Sequence, residues 1–238
     1  MSFKKLALAF IKSLALLVFV ATVSLETPVA YRGYMRGIAE NNVVRIVGMD
    51  GMGTGFHVRT DDGRVYILTN RHVCRMTGPL TVEHYGSKVG TIKKIVKISE
   101  EHDLCVMEAL DGVKGISIGS DAINGDAVYT LGHPRGDALN VASGEKFDEK
   151  EIKVADTFEE DGSCKGEIIE TGFFGTFCIM SRVAVQISAP TYPGNSGSPV
   201  VNKWGNLVGV IFAGSQQVEN QGFYVPLSYV KAFLSSIK

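Results

Sequence analysis

From Val43 onward the chain alternates short runs of Val, Ile, Leu, Thr and Phe with Gly, Asn, Asp and Pro, the signature of successive strands and turns. Fifteen runs predict strands. The first seven are Val43–Val47, Thr54–Thr60, Arg64–Asn70, Leu80–Tyr85, Val89–Ile98, Leu104–Leu110 and Ala127–Leu131. The remaining eight are Leu139–Ser143, Glu151–Ala155, Glu167–Thr171, Phe173–Met180, Arg182–Ser188, Pro199–Val201, Leu207–Phe212 and Phe223–Pro226. Asp62-Gly63 suits a hairpin turn. Beyond the amino terminus, only Pro226–Lys238 reads as helix, with Leu227, Val230, Phe233 and Leu234 at helical spacing. Regularly spaced strands without intervening helices predict an all-β barrel or sandwich pair. Residues 145–167 interrupt the pattern with nine acids and four lysines, and predict an exposed loop or long hairpin.

The amino terminus follows a different rule. Lys4, Lys5 and Lys12 precede an unbroken apolar run, Ser13–Leu25, of 13 residues. A spanning helix needs roughly 17–25 residues, so this run fits the core of a signal peptide. Counted from Leu6 to Leu25 the run reaches 20 residues with Lys12 inside, which keeps a signal anchor open. Residues 1–30 are therefore expected to be a signal peptide or anchor, and 31–42 a linker. The rest of the chain is expected to be exported, to a periplasmic or extracellular location, and held at the membrane by residues 6–25 if they are retained.

Composition narrows the function classes. The 238 residues are 45% hydrophobic and 21% charged, ample for a packed core. A net charge of −1 argues against nucleic acid as a partner. Among the four cysteines, Cys74, Cys105, Cys164 and Cys178, no C-x-x-C pair occurs, which argues against a zinc site. Cys74 and Cys105 read as buried thiols, whereas Cys164 and Cys178 flank a Gly-rich stretch and could bridge in an oxidising compartment.

Three segments carry candidate chemistry. Ile67–Cys74 sets His72 just after an apolar strand, Glu101–Met107 sets Asp103 at the head of another, and Pro193–Pro199 sets Ser196 in a Gly-rich turn. Taken singly, each has a bland reading: a satisfied polar residue, a turn cap, an ordinary turn. His57, His84, His102 and His133 read as satisfied polar side chains. Acyl transfer needs all three types together. A serine hydroxyl attacks only if a base takes its proton, and a buried carboxylate must hold that imidazole in one tautomer. The oxyanion then needs two aimed N–H donors, here Gly194 and Ser196. The order His72, Asp103, Ser196 differs from those of subtilisins and α/β-hydrolases, and Ser198 breaks the G-x-S-x-G elbow.

At these residues the chain resembles the trypsin-like serine proteases, most closely the HtrA/Deg-type catalytic domain. The resemblance covers about residues 43–230. It is carried by Gly53-Thr54-Gly55-Phe56, Leu68-Thr69-Asn70-Arg71-His72-Val73, His102-Asp103-Leu104, Gly132-His133-Pro134-Arg135-Gly136, Pro193-Gly194-Asn195-Ser196-Gly197-Ser198-Pro199 and Gly222-Phe223-Tyr224-Val225-Pro226. It implies two six-stranded antiparallel β-barrels, about 43–121 and 122–226, with the active site between them and a C-terminal helix over 227–238. It also implies peptide-bond hydrolysis without metal or cofactor, a polypeptide substrate, and compatibility with an oligomer. Ser198 replaces a common glycine, and only twelve residues follow Pro226, so recruitment through a PDZ domain does not carry over.

A trypsin-type pocket selects Lys or Arg through an acid at its base. The matching position, six before Ser196, is Pro190; with Thr191 and the apolar run Ile211-Phe212-Ala213-Gly214 it predicts a small or medium apolar P1 residue. The alternative functions are a catalytically silent protease-like binding domain at the cell envelope and an envelope structural protein. The second leaves the His–Asp–Ser set unexplained.

Overall fold

A computed structural model describes residues 31–84, 91–99, 101–156, 158–159, 161–171, 175–215 and 218–237. The expected leader, residues 1–30, lies outside the described residues, as does Lys88 of a lysine cluster with Lys93, Lys94 and Lys97. The chain divides into two units, Met1–Gly37 and Ile38–Lys238. Residues 31–42, expected as a linker, are helical (α1). The segment lacks the unbroken apolar run of the leader and has no strand alternation, so its helical character was masked by short polar interruptions.

Within the second unit two sheets form. The first contains β1 (Val43–Val47), β2 (Met52–Arg59), β3 (Val65–Thr69), β4 (Thr81–His84), β5 (Thr91–Ile92), β6 (Ile95–Ser99), β7 (Leu104–Glu108) and β8 (Ile116–Ser117). Its order is β5-β4-β1-β2-β3-β7-β6, and β8 pairs in parallel with β2. The sheet thus has eight strands rather than six, because the single run expected over Val89–Ile98 is split into two strands and Ile116–Ser117 is added. A helical turn, α2 (Arg71–Cys74), follows β3 directly.

The second sheet contains β9 (Ala127–Gly132), β10 (Asn140–Asp156), β11 (Glu167–Thr171), β12 (Gly175–Ile187), β13 (Pro199–Asn202), β14 (Leu207–Gly214) and β15 (Gly222–Pro226). Its order is β10-β9-β13-β14-β15-β12-β11. Pairing of β10 with β12 closes six of these strands into a ring and leaves β11 outside it. Helix α3 (Leu227–Ser235) follows, with Leu227, Val230, Phe233 and Leu234 buried as their spacing predicts. The architecture is the expected all-β, chymotrypsin-like pair of barrels. The acidic stretch after 145 is not a loop at its start: it continues β10 to Asp156, with mostly exposed side chains.

Each sheet closes on its own apolar cluster. Val44, Ile46, Ile67, Val82 and Met107 pack in the first, and Val128, Val185, Val200, Val208 and Tyr224 in the second. Burial of each such side chain contributes about 1.5–3 kcal/mol.

Candidate active site

His72 lies in α2, immediately beyond β3, and Asp103 directly precedes β7. Antiparallel pairing of β3 with β7 sets Thr69 opposite Cys105, so the residues just beyond these strand ends meet. The His72 Nδ1–H donates to Asp103 Oδ2 at 2.9 Å, and the His72 backbone N–H donates to Oδ1 of the same carboxylate at 3.1 Å. Asp103 is buried and adopts φ 51°, a left-handed conformation that aspartate tolerates better than most residues. Its own carbonyl accepts from Asn70 Nδ2 at 3.0 Å. The same side chain makes no cap bond to α2, and its buried Oδ1 has no hydrogen-bond partner among the described residues. Burial pulls the imidazole pKa down, but the charge of Asp103 and its hydrogen bond, reinforced by Asp156, raise it above the ordinary histidine value.

The Asp156 carboxylate is buried at the end of β10. It accepts from Arg71 Nη2 at 2.6 Å and pairs with Arg182. Arg182 also donates to the Glu101 carbonyl at 2.7 Å. The residues flanking His72 and Asp103 are thereby tied to β10 and β12 of the second sheet.

Ser196 is half-buried in the turn before β13. Its carbonyl accepts from Thr54 N–H at 2.8 Å. A Cβ on Gly53 would sit 2.7 Å from Val73 Cγ2 and 3.2 Å from the Ser196 carbonyl oxygen, so only glycine lets β2 run between the histidine turn and the serine turn. Among the described residues, no hydrogen bond joins His72 to the Ser196 hydroxyl. In unliganded sites such bonds are often long and tighten with substrate.

The two backbone N–H groups expected to hold an oxyanion are fixed by the carbonyls across their own peptides. The Pro193 carbonyl accepts from Arg135 N–H, and the Asn195 carbonyl accepts from Ser198 N–H at 2.9 Å. In a trans peptide the N–H points opposite to the C=O, and no cis peptide occurs among the described residues. The Gly194 and Ser196 N–H groups therefore face away from those partners, and neither donates to protein among the described residues. Gly194 takes φ +92°, and a Cβ there would come within 2.4 Å of the His133 carbonyl oxygen.

Beside this turn lies a cleft of about 640 Å³. Of the expected substrate-binding residues, Pro190, Thr191, Phe212, Ala213 and Gly214 line it together with Ser196. Ile211 does not: it is 1% exposed and packs in the second core, because its backbone bonds to Gly197 and Ser198 turn its side chain to the barrel interior. Sequence reasoning missed the far wall, Val218–Gln221, where Glu219 contributes a carboxylate. Strand periodicity carries no signal for a loop that meets Pro190 only in three dimensions.

The cysteines correct one expectation and meet another. Cys74 and Cys105 are bridged rather than free, closing a separation of 31 residues. Each stands two residues beyond its candidate, His72 or Asp103, so the pairing that joins those residues also brings the sulfurs together. Cys164 and Cys178 are bridged, as the sequence allowed. Three of the four remaining histidines are satisfied by hydrogen bonds or stacking. His57 bonds the Asn42 carbonyl and the Leu110 N–H, His133 lies 3.0 Å from the Asp137 carbonyl, and His102 stacks on Tyr229. His84 is the exception, its buried Nε2 lacking a hydrogen-bond partner among the described residues while its ring meets His57 edge-on.

The sequence profile of the trypsin-like peptidase domain matches residues 53–210. The chain is 28% identical over 187 residues to the serine protease Do-like HtrA of Bacillus subtilis (strain 168), covering 76% of this chain and 38% of that protein. It is 28% identical over 199 residues to the serine protease HtrA-like of Staphylococcus aureus (strain USA300), covering 79% and 24%. The matched stretch is thus well under half of either relative. Among solved structures, the active form of the Rv3671c protease from M. tuberculosis superposes with TM-score 0.66 at 21% identity, covering 85% of this chain and 83% of that one. The HtrA-type protease AlgW with tripeptide gives 0.64 at 23%, covering 87% and 63%. These likenesses establish the double-barrel fold, and the profile match, which spans more than half of the sequence, settles the family: the chain belongs to the trypsin-like peptidase domain family.

Proposed function

We propose that this protein is a serine endopeptidase. Ser196 Oγ attacks the scissile carbonyl, and His72 Nε2, left as the acceptor when Nδ1–H is committed to Asp103, takes the hydroxyl proton. The tetrahedral oxyanion is held by the Gly194 and Ser196 N–H groups. Collapse of this intermediate expels the amine, which receives the proton from His72, and leaves an acyl group on Ser196. Water, deprotonated by the same imidazole, then releases the acid.

The observation that carries this reading over a silent binding domain is the pair of pinned carbonyls, Pro193 and Asn195, which leaves both oxyanion donors without protein partners among the described residues. A fluorophosphonate probe tests it. The wild type should be labelled and Ser196→Ala should not; equal failure of both would refute the enzyme. The cleft walls Pro190, Phe212 and Ala213 support a small or medium apolar P1 residue, and a fluorogenic library cleaved only after Lys or Arg would refute that. Two disulfides support export to an oxidising compartment, with residues 1–30 as the leader, or as an anchor through residues 6–25. Amino-terminal sequencing of the exported protein distinguishes the two.

A further inference from the structure

We propose that Arg135 and Tyr192 form a latch that holds the oxyanion-binding peptide in its productive orientation. Arg135 is a positioning residue, acting on the Pro193–Gly194 peptide, and Tyr192, which also lines the cleft beside Ser196, anchors it; the inference rests on the endopeptidase reading of the same site.

The latch is built on a turn that the mechanism leaves unused. Pro134–Gly136 is a short 3₁₀ turn after β9 in which Arg135 takes φ 57°, ψ 16°. A non-glycine residue pays about 1–2 kcal/mol for that conformation. What this backbone geometry achieves is one hydrogen bond: Arg135 N–H donates to the Pro193 carbonyl. That bond sets which way the Gly194 N–H faces. If the peptide rotated by half a turn, the Pro193 oxygen would enter the oxyanion site and repel the developing charge.

The Arg135 side chain closes the second half of the latch. Its guanidinium lies over the Tyr192 ring, 4.4 Å from the centroid. Tyr192 directly precedes Pro193, and its carbonyl accepts from Asn195 N–H at 3.0 Å. The cation–π contact thus fastens the side chain of the donor residue to the segment whose carbonyl it holds. The other end of the turn is braced separately. Thr54 Oγ1 accepts from His133 N–H at 3.1 Å and donates to the Gly194 carbonyl at 2.7 Å. Arg45 holds the Gly136 carbonyl at 2.7 Å. Arg135 N–H thus holds the Pro193 carbonyl, and Thr54 Oγ1 holds the carbonyl of the next residue, Gly194.

The test compares Arg135→Ala and Tyr192→Leu with wild type in peptidase assays and in binding of a peptide aldehyde, whose hemiacetal with Ser196 loads the oxyanion site. Arg135→Ala should lower kcat by about 2–5-fold while KM changes little, the most that loss of one exposed cation–π contact can shift the orientation of the peptide, and Tyr192→Leu should lower kcat to a similar extent. Aldehyde affinity should fall in parallel. The double variant should be no worse than either single one. Arg135→Lys, which retains a cation over the ring, should recover most of the loss. Unchanged kcat in Arg135→Ala overturns the latch, and so does a raised KM at constant kcat, which would make Arg135 a substrate contact. Lower Tm with a reduced titratable fraction but normal turnover per active site would reduce the pair to a structural role, also overturning it. A wild type that neither hydrolyses peptides nor binds the aldehyde would instead refute the endopeptidase reading beneath it.

Discussion

Asp103 grips His72 at two points, one oxygen on the ring Nδ1–H and the other on the backbone N–H of the same residue. A carboxylate used this way fixes ring rotation, tautomer and the position of the turn together. Asp103→Asn keeps the shape but can offer the ring an amide donor in place of an acceptor. The expected result is a fall in kcat of about 10⁴ with the fold retained, checked by steady-state kinetics beside a thermal melt.

The same contact sets the pH profile. The folded pKa of His72 is raised above 6.5, so the catalytic base form is lost as pH falls through a point above the ordinary histidine value. In Asp103→Asn that limb of kcat/KM should move to lower pH. A limb that stayed in place would show that another group controls it. For stability the sign is opposite to that of a salt-bridged carboxylate: the contribution from this pair is present below 6.5 and lost as pH rises through the folded pKa.

Replacing Ser196 or His72 with alanine should cost about 10⁶ in kcat, and replacing both should cost little more, because the two act as one unit. Losses that multiplied in the double variant would mean that they act independently.

His57 predicts an acid weakness away from the site. Burial, opposed by its bond to the Asn42 carbonyl, lowers its pKa to about 4. Its Nε2 accepts from Leu110 N–H, so protonation would set two hydrogens against each other. Between pH 6.5 and 4 the unfolded chain binds the extra proton, and stability falls with pH by up to about 3 kcal/mol. Urea midpoints measured at pH 7 and at pH 4.5 should show the drop, and His57→Gln should flatten it.

The Cys74–Cys105 bridge spans 31 residues between the turn bearing His72 and the strand behind Asp103. Closing a loop of that size stabilises the fold by about 3–4 kcal/mol on the chain-entropy account. The double variant Cys74→Ala, Cys105→Ala should melt several degrees lower and lose activity at temperatures where the wild type is fully folded. Differential scanning calorimetry with a parallel activity curve checks both.

Strand content was legible because short runs rich in Val, Ile and Thr between turn residues mark strands locally: β1 and β11 coincide with runs read from the chain alone. The His72, Asp103 and Ser196 segments were legible because each sits at a strand end with its own local signature. What escaped depends on distance. The Cys74–Cys105 pairing, the burial of Ile211 behind the serine turn and the arrival of Glu219 at the cleft all follow from contacts between remote segments. The merging of two expected runs into β12 has another cause: Ser181 is polar yet keeps the extended backbone, paired with Lys153 across the ladder.

The bond from His57 to the carbonyl of Asn42 bears on how far the chain can be cut back. A version starting at Val43 keeps every strand and every candidate side chain, yet strands the buried ring N–H without an acceptor, at a cost of about 1–3 kcal/mol. Trimming for expression should therefore stop short of Asn42.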